Sequence, residues 1–300
     1  MPLFKTIMRC LLVICGLTML GACASIKDLP AGGRYLVVTR FGNALSVEKI
    51  GVAIMSDDLR VFQDDTDLGK LFRDDAVSIL DKESAWTYQP ADVPMDIPAF
   101  DGDYGDYRSA IIGDWHKTDA RLQKLKQAAA ANHADIVIYI SEAIISLPTP
   151  PIGNPFAKEE MISRGVHKHM ALGFDDRNNA FVAYSITVYD AKTWKDRNYT
   201  GAYMAPFPQF EWPKLSFPPK PLPAEVVPQV RQALAAIEPA PDLRFALCFL
   251  GLTNVSQDPV DHTRAYQCAQ HYGVPGSSYS NIPVYWLTHP VDPRHADLHQ

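Results

Sequence analysis

Three histidines in the middle of the chain are the residues best suited to catalysis: His116, and the pair His167 and His169 in the motif His-Lys-His. Imidazole is the side chain that most often moves protons near neutral pH. On a strand, a two-residue spacing places both imidazoles of the pair on one face. A zinc site would need a third or fourth ligand, and the sequence does not indicate which residue would lie near these histidines. They are candidates for a general base, and we predict no metal and no cofactor.

The other polar motifs do not match known reaction centres. Asp101–Tyr107 (DGDYGDY) is dense in carboxylates, but an EF-hand loop starting at Asp101 would need glycine at its sixth position and glutamate at its twelfth. Those positions hold Asp106 and Ile112. The chain has no Gly-x-Ser-x-Gly and no phosphate-binding glycine loop, and 277–278 (Ser-Ser) reads as part of a turn. The sequence therefore favours a protein that is not an enzyme.

A cysteine near the start of the chain has a more specific context. Lys5 and Arg9 carry positive charge, and an apolar run, Cys10–Leu20, follows them. That run has the length of the apolar part of a signal peptide and is about half of the roughly 20 residues that a membrane-spanning helix needs. Small residues then precede Cys23. We interpret residues 1–22 as an export signal.

The residues Leu20-Gly21-Ala22-Cys23 resemble the lipobox of bacterial lipoproteins. In that family the cysteine thiol receives a diacylglycerol, the signal is removed before the cysteine, and the new amino group is acylated, often with palmitate. The resemblance implies that Cys23 is the lipidation site and that the protein attaches to a membrane through acyl chains. Ala24 is not the aspartate that retains enterobacterial lipoproteins at the inner membrane, so the outer membrane, facing the periplasm, is favoured. The alternative is an ordinary secretory peptide.

Counting cysteines supports export. With the signal removed and Cys23 lipidated, only Cys248 and Cys268 remain. A single pair in an oxidising compartment favours a disulfide, although two independent buried thiols stay possible at this point.

Charge excludes one class of partner. The chain has 34 acidic and 28 basic residues, and no basic cluster that could neutralise phosphates along a nucleic acid. We therefore predict no nucleic-acid partner. Another envelope protein or a cell-wall component is the expected partner.

Patterning predicts an α+β fold with a mixed sheet, an antiparallel hairpin part and packed helices. The clearest signal is an alanine-rich helix, Thr118–Ala131, with an apolar stripe through Leu122, Leu125, Ala128 and Ala129. It leads into a continuous apolar run, Ile136–Ile140, typical of a strand covered on both faces. Further strands are predicted at 34–41, 47–55, 165–174, 180–189, 197–204 and 282–287, with a loop, DDRNN, between the third and fourth of these regions. Helices are predicted at 64–82, 226–237 and 258–272, and 243–252 fits a strand or a helix.

The expected organisation is a tether at 23–33, an α+β domain at 34–241, and a small disulfide-tied C-terminal region at 242–300. Proline-rich loops are expected near 88–105, 148–155 and 205–228. The order of elements from Thr118 to Ile237 resembles small αβ domains of envelope lipoproteins, such as activators of penicillin-binding proteins, and that resemblance implies a fold only.

The combined prediction is a membrane-anchored envelope lipoprotein with a non-enzymatic binding or assembly role. Two alternatives remain: a cell-wall or lipid hydrolase that uses the histidines, and an immunity or inhibitor lipoprotein.

Overall fold

The computed structural model describes residues 29–50, 58–64, 66–95, 118–148, 158–171, 174–206, 226–235, 240–255 and 262–272. Within these ranges the strands are β1 Gly33–Arg40, β2 Ala44–Ile50, β3 Asp58–Gln63, β4 Trp86–Tyr88, β5 Ile136–Glu142, β6 Ile144–Pro148, β7 Lys158–Ile162, β8 Arg164–Ala171, β9 Phe174–Asp190 and β10 Asp196–Pro206. The helices are α1 Leu68–Glu83, α2 Thr118–Ala131, α3 Val226–Ala235, α4 Ala240–Phe249 and α5 His262–Tyr272. No described helix is both long enough and apolar enough to cross a bilayer.

Eight strands form one mixed sheet. Six of them form three pairs, and the two strands of each pair lie end to end at the same position across the sheet. The long strand β9 pairs antiparallel with β10 along one edge. On its other edge β8 pairs with the first half of β9 and β5 with the second half. β1 runs parallel to β5, and β2 runs parallel to β8. β4 and β3 occupy the next position outward. The sheet is thus five positions wide, and the three positions beyond β9 each hold two strands in succession.

β5 and β8 lie end to end along one edge of β9, and a hairpin separates them in the chain. After Ala143 the chain leaves the main sheet as β6 and β7, which pair only with each other, and it returns at Ser163. The N–H of Ser163 donates to the Ala143 carbonyl at 3.0 Å, and both residues also bond to the backbone of Ala183 on β9. The exit and the return of the hairpin are therefore joined.

One face of the sheet carries the larger core. Alternate residues of β1, β5 and β9 on this face pack against α1, α4 and α5. Phe72 of α1 stacks on Phe41 and contacts Tyr184, with ring centroids 4.9 and 5.1 Å apart. Tyr199 of β10 meets Phe245 of α4 in the same core. α4 and α5 thus share one core with the sheet.

The opposite face confirms the strongest local prediction. α2 spans Thr118–Ala131, and Leu125 and Ala129 on it are buried against Val137 and Tyr139 of β5. Every residue of β5 is buried because both faces of this strand are covered. The continuous apolar run predicted this double coverage.

The C-terminal region contains the predicted disulfide. Cys248 on α4 and Cys268 on α5 are bonded, with their Cα atoms 5.8 Å apart, and both are fully buried. From the sequence, residues 243–252 fitted a strand or a helix. In the structure, residues 243–249 are helical and make up the greater part of α4. The fold class is α+β, with parallel and antiparallel pairs in one sheet.

One sequence expectation is corrected in the hairpin of β8 and β9. The segment DDRNN lies inside β9 instead of forming a loop, and Ala171 already pairs with Phe174. The polar side chains suggested a loop. Pairing with β8 supplies the backbone hydrogen bonds of this part of β9, and that pairing does not require apolar side chains. The predicted strand at 282–287 lies outside the described residues.

Candidate functional site

The side chains of the candidate general bases lie outside what the structure describes. His167 and His169 both lie on β8, opposite Glu48 and Ile50 of β2 in register, but their side chains are outside what is described. His116, Cys23 and the segments 101–107 and 277–278 also lie outside the described residues. Within the described ranges, no three His, Cys, Asp or Glu residues come close enough to hold a metal ion.

Charged side chains are buried where one strand ends and the next strand at the same position of the sheet begins. Arg40, at the end of β1, lies 4.0 Å from Glu142 at the end of β5, and both side chains are nearly inaccessible. The N–H of Gly42 donates to the same carboxylate at 3.3 Å. Backbone groups left without sheet partners at a break need such hydrogen bonds, so Glu142 has a structural explanation.

A second buried ion pair fixes the entrance to α1. Arg164 Nη2 lies 3.3 Å from Asp64 Oδ2, and the guanidinium also donates to the carbonyls of Asp64 and Thr66 at 3.0 and 2.8 Å. Half-exposed Arg231 approaches the same carboxylate at 3.4 Å. Asp67 then caps α1 by accepting from the Lys70 N–H at 2.8 Å. These bonds hold the chain between β3 and α1.

An open pocket of about 130 Å³ is lined by a different pair of arginines. It lies between the turn after α4, the start of β4 and the chain that precedes β1. Its lining includes two arginine side chains, a backbone turn, and an apolar wall, contributed by Arg197, Arg264, Gly251–Asn254, Trp86 and Leu29–Ala31. We call this the arginine pocket. A water molecule takes about 30 Å³ of liquid, so the pocket has room for about four waters or a small ion.

The turn at the base of the arginine pocket is a helix C-terminus closed by glycine. The N–H of Gly251 donates to the Cys248 carbonyl at 2.8 Å, and the N–H of Leu252 donates to the Leu247 carbonyl at 2.9 Å. These two bonds define a Schellman motif, which requires a left-handed residue. Gly251 has φ +81°, a conformation that glycine adopts without steric cost.

The absent side chain of Gly251 leaves space for both guanidinium groups. A Cβ at this position would stand 2.8 Å from Arg264 Nη1 and 3.1 Å from Arg197 Nη1. Arg197 comes from β10 and donates to the Leu250 carbonyl at 3.2 Å, whereas Arg264 comes from α5. Both arginines are almost fully buried, with exposed fractions of 6% and 4%. Two separate elements thus bring positive charge to one point.

Such convergence of like charges has an electrostatic cost. The two Nη1 atoms are at most about 6 Å apart, and at an effective dielectric constant near 20 two unit charges at that distance repel by roughly 3 kcal/mol. The partial negative charge at the C-terminus of α4 offsets part of the repulsion.

A hydrogen-bond network joins α5 and the turn after α4 to the end of α1. Tyr272 Oη donates to Glu83 Oε2 at 2.5 Å, Arg244 Nε lies 3.5 Å from Glu83 Oε1, and the N–H of Asn254 donates to the Glu83 carbonyl at 2.8 Å. Burial, together with the bond to Glu83, raises the pKa of Tyr272 to about 12. The phenol therefore stays neutral and acts as a donor across the physiological range, tying α5 to the end of α1.

Sequence reasoning missed this pocket. A glycine directly after an apolar helical segment is a signal for a helix C-terminus, and it was present at Gly251. The two-residue alternation of Arg197 and Tyr199 on β10 placed both on the buried face, since Tyr199 is fully buried. Neither signal indicates that Arg264 comes to the same point.

Comparison with known proteins gives no family. No protein-family model and no curated protein matches the chain. Among solved structures, the crystal structure of protein XCC0632 from Xanthomonas campestris, described as DUF330, is similar over 61% of this chain and 72% of its own, at 7% identity and a TM-score of 0.29. At that TM-score the likeness carries no conclusion about fold or function.

Proposed function

We propose that this protein is an envelope lipoprotein, anchored through acyl chains on Cys23, whose folded part binds another envelope component and does not catalyse a reaction. The observation that carries the proposal is the sequence Leu20–Cys23 after a charged start and an apolar run of signal-peptide length. Cysteine suits this attachment because its thiolate is a strong nucleophile.

The disulfide supports an exported protein. Cys248 and Cys268 are bonded in the core, and disulfides persist in oxidising compartments such as the periplasm. The pair joins α4 to α5, so it fixes the helices that carry one wall of the arginine pocket.

The start of the folded part supports a short tether. Leu29 already packs against the main core, and it follows Cys23 by six residues in the sequence. A fully extended chain covers at most about 3.6 Å per residue, so six residues reach about 20 Å at most. A lipid on Cys23 would therefore keep this end of the domain, with the arginine pocket, close to the membrane surface.

Labelled palmitate tests the anchor. We expect wild-type protein to incorporate the label and Cys23→Ala to lose it, while Cys15→Ala, a matched change in the same signal segment, keeps it. Label that persists in Cys23→Ala, or that is absent from the wild type, would contradict lipid attachment at Cys23.

Membrane separation tests the address. We expect wild-type protein in the outer-membrane fraction, Ala24→Asp in the inner-membrane fraction, and Ala24→Ser distributed as wild type.

The non-enzymatic role is tested with a panel of cell-wall and lipid substrates. Turnover that one point mutation at a histidine abolishes would replace the binding role with the hydrolase alternative.

A further inference from the structure

We propose that the turn between β9 and β10, residues 190–195, is a membrane contact in which Trp194 enters the lipid headgroup region and Lys192 and Lys195 bind anionic headgroups. The proposal rests on the envelope-lipoprotein function, because an acyl anchor on Cys23 is what would hold the domain at a membrane. It goes further by naming the surface of the folded domain that faces the lipid.

The position of the 190–195 turn is the first step. β1 runs parallel to β5, so both strands begin at the same end of the sheet. β9 runs antiparallel to β5, and its last residue, Asp190, pairs with the first residue of β5, Ile136. The N–H of Ala191 then donates to the carbonyl of Asp135 at 3.0 Å. The turn therefore lies at the end of the sheet where β1, and with it the folded chain, begins.

The arginine pocket connects this turn to the tether. Leu29 and Arg197 line the same pocket, and Arg197 follows Lys195 by two residues. Leu29 in turn follows Cys23 by six residues, which span at most about 20 Å. A lipid on Cys23 would therefore keep the 190–195 turn within reach of the membrane surface.

The backbone of Trp194 is the second step. Its φ of +56° lies in the left-handed region, which costs a bulky residue more than it costs glycine or asparagine. Hydrogen bonds hold the turn in this form: the Trp194 N–H donates to the Asp190 carbonyl at 2.8 Å, and Asp190 Oδ1 accepts from the N–H groups of Lys192 and Thr193. A large ring at a position suited to glycine points to a function for the ring.

The exposure of the side chains is the third step. The Trp194 side chain is half-buried, whereas Lys192 and Lys195 are exposed. Tryptophan is enriched at membrane–water interfaces because its ring is apolar and its N–H is polar. Lysines close to an anionic bilayer are attracted to its headgroups. Lys126 of α2 adds a further positive charge, with Nζ 5.5 Å from the centre of the Trp194 ring.

Acidic side chains near the turn limit the part that charge plays. Asp190 accepts hydrogen bonds within the turn, and Asp135 Oδ2 accepts from the Arg34 N–H at 2.9 Å. Asp196 is exposed beside Lys195 and offsets part of the positive charge. The Trp194 ring is therefore the main element of the contact, and the lysines add to it where the lipid is anionic.

Packing is the competing explanation for Trp194. Its ring lies beside that of Tyr189, with the centroids 6.0 Å apart, and packs against the apolar cluster under α2. Packing accounts for the buried side of the ring and predicts that a bilayer leaves its exposed side in water. The two explanations differ in this respect.

Tryptophan quenching in vesicles separates them. Full-length protein labelled with palmitate is reconstituted into vesicles of phosphatidylcholine and phosphatidylglycerol, with the phosphatidylcholine either plain or brominated near the headgroup end of its acyl chains. Bromine quenches tryptophan that lies in the interface. The chain has five tryptophans, so the share of Trp194 is read from a variant. We expect Trp194→Phe to lose most of the quenching, whereas Trp86→Phe, which removes a buried ring, should retain it.

A double variant tests the lysines. With phosphatidylglycerol present, we expect Lys192→Gln with Lys195→Gln to lower the ratio of bound to free turns, read from the quenching, about fivefold for each lysine removed. Lys70→Gln with Arg73→Gln is the matched control, because the first turn of α1 lies against Thr39, at the other end of β1. Equal effects of the two double variants would show that this turn does not bind the headgroups.

Palmitate labelling keeps this proposal apart from the anchor. Labelled wild-type protein that fluoresces equally in plain and brominated vesicles, or whose quenching survives in Trp194→Phe, would overturn the contact and leave the lipoprotein function standing. Wild-type protein that takes up no label would overturn the anchor and the contact together. We expect the Tm of Trp194→Phe in detergent to stay close to that of wild type, because a ring still packs on Tyr189.

Discussion

Arg164 and Asp64 form an ion pair, Nη2 to Oδ2 at 3.3 Å, in which the two side chains are 1% and 3% exposed. Breaking a buried pair leaves the other charge without compensation and costs about 3–5 kcal/mol. We therefore expect Asp64→Ala to lower the free energy of unfolding by about that amount, measured by urea denaturation. Asp74→Ala is the matched control, because Asp74 pairs with Lys70 on the exposed face of α1 and such pairs contribute about 0–1 kcal/mol. Equal losses in the two variants would contradict this account.

The disulfide is expected to stabilise the fold substantially. Cys248 and Cys268 are separated by 20 residues, and a crosslink closing a loop of that size stabilises by about 3 kcal/mol on the chain-entropy description. The double variant Cys248→Ala with Cys268→Ala should lose about that much, measured by urea denaturation without reductant. A reductant should destabilise the wild type and leave the double variant unchanged. Equal stability of the two proteins before reduction would show that the crosslink contributes nothing.

Gly251 has two separable requirements, a left-handed backbone and an empty Cβ position. Gly251→Ala should lower the free energy of unfolding by at least about 1–2 kcal/mol, since left-handed conformations cost that much for residues with a Cβ. Gly251→Asn should lose less, because asparagine tolerates this conformation better. Both place a Cβ against Arg264 and Arg197, so a part of the loss should remain in Gly251→Asn. Equal losses in the two variants would show that the left-handed backbone is not what requires glycine here.

Alkaline pH should weaken the fold through Tyr272. Its pKa is raised to about 12 in the folded protein, against about 10 in an unfolded chain. The neutral phenol is thus favoured on folding, and its contribution is complete below pH 10 and is lost as the pH rises from 10 to 12. Buried Tyr35 and Tyr189, whose pKa values are also raised by burial, act in the same direction.

The variant Tyr272→Phe isolates this contribution. At pH 8 it should lower the free energy of unfolding by about 0.5–1.5 kcal/mol through the lost hydrogen bond to Glu83. The difference from wild type should shrink between pH 8 and pH 11 in urea titrations. A difference that stays constant over that range would mean that Tyr272 does not titrate as described.

Local patterns predicted the parts of the fold that depend on local physics. The alanine-rich helix shows an apolar stripe at i, i+3 spacing, and Ile136–Ile140 is a continuous apolar run, so each segment contains the pattern that predicts it. The disulfide followed from counting, since export and lipidation would leave one pair. None of these inferences required information on which elements are neighbours in the fold.

The arginine pocket and the end-to-end strands depend on tertiary arrangement and were not predicted. Leu29, Trp86, Arg197 and Arg264 come from four separated parts of the chain, and no spacing in the sequence links them. The interruption between β5 and β8 was also not predicted, because β6 (Ile-Ile-Ser-Leu-Pro) continues the apolar pattern of β5 and the charged sequence of β7 (Lys-Glu-Glu-Met-Ile) does not mark where the main sheet resumes. The bond between Ala143 and Ser163, with the bonds that both residues make to Ala183, shows that position.

That bond has a consequence for how this fold can vary in length. The chain leaves the sheet at Ala143 and re-enters it at Ser163, and the two positions are held to each other and to Ala183 by backbone hydrogen bonds. A change in the number of residues between Pro148 and Lys158 therefore need not shift the register of β5 or β8 against β9. Ile145 in β6 contacts the apolar cluster of Phe181 and Ala202, so the start of the hairpin is also held to the main sheet by packing.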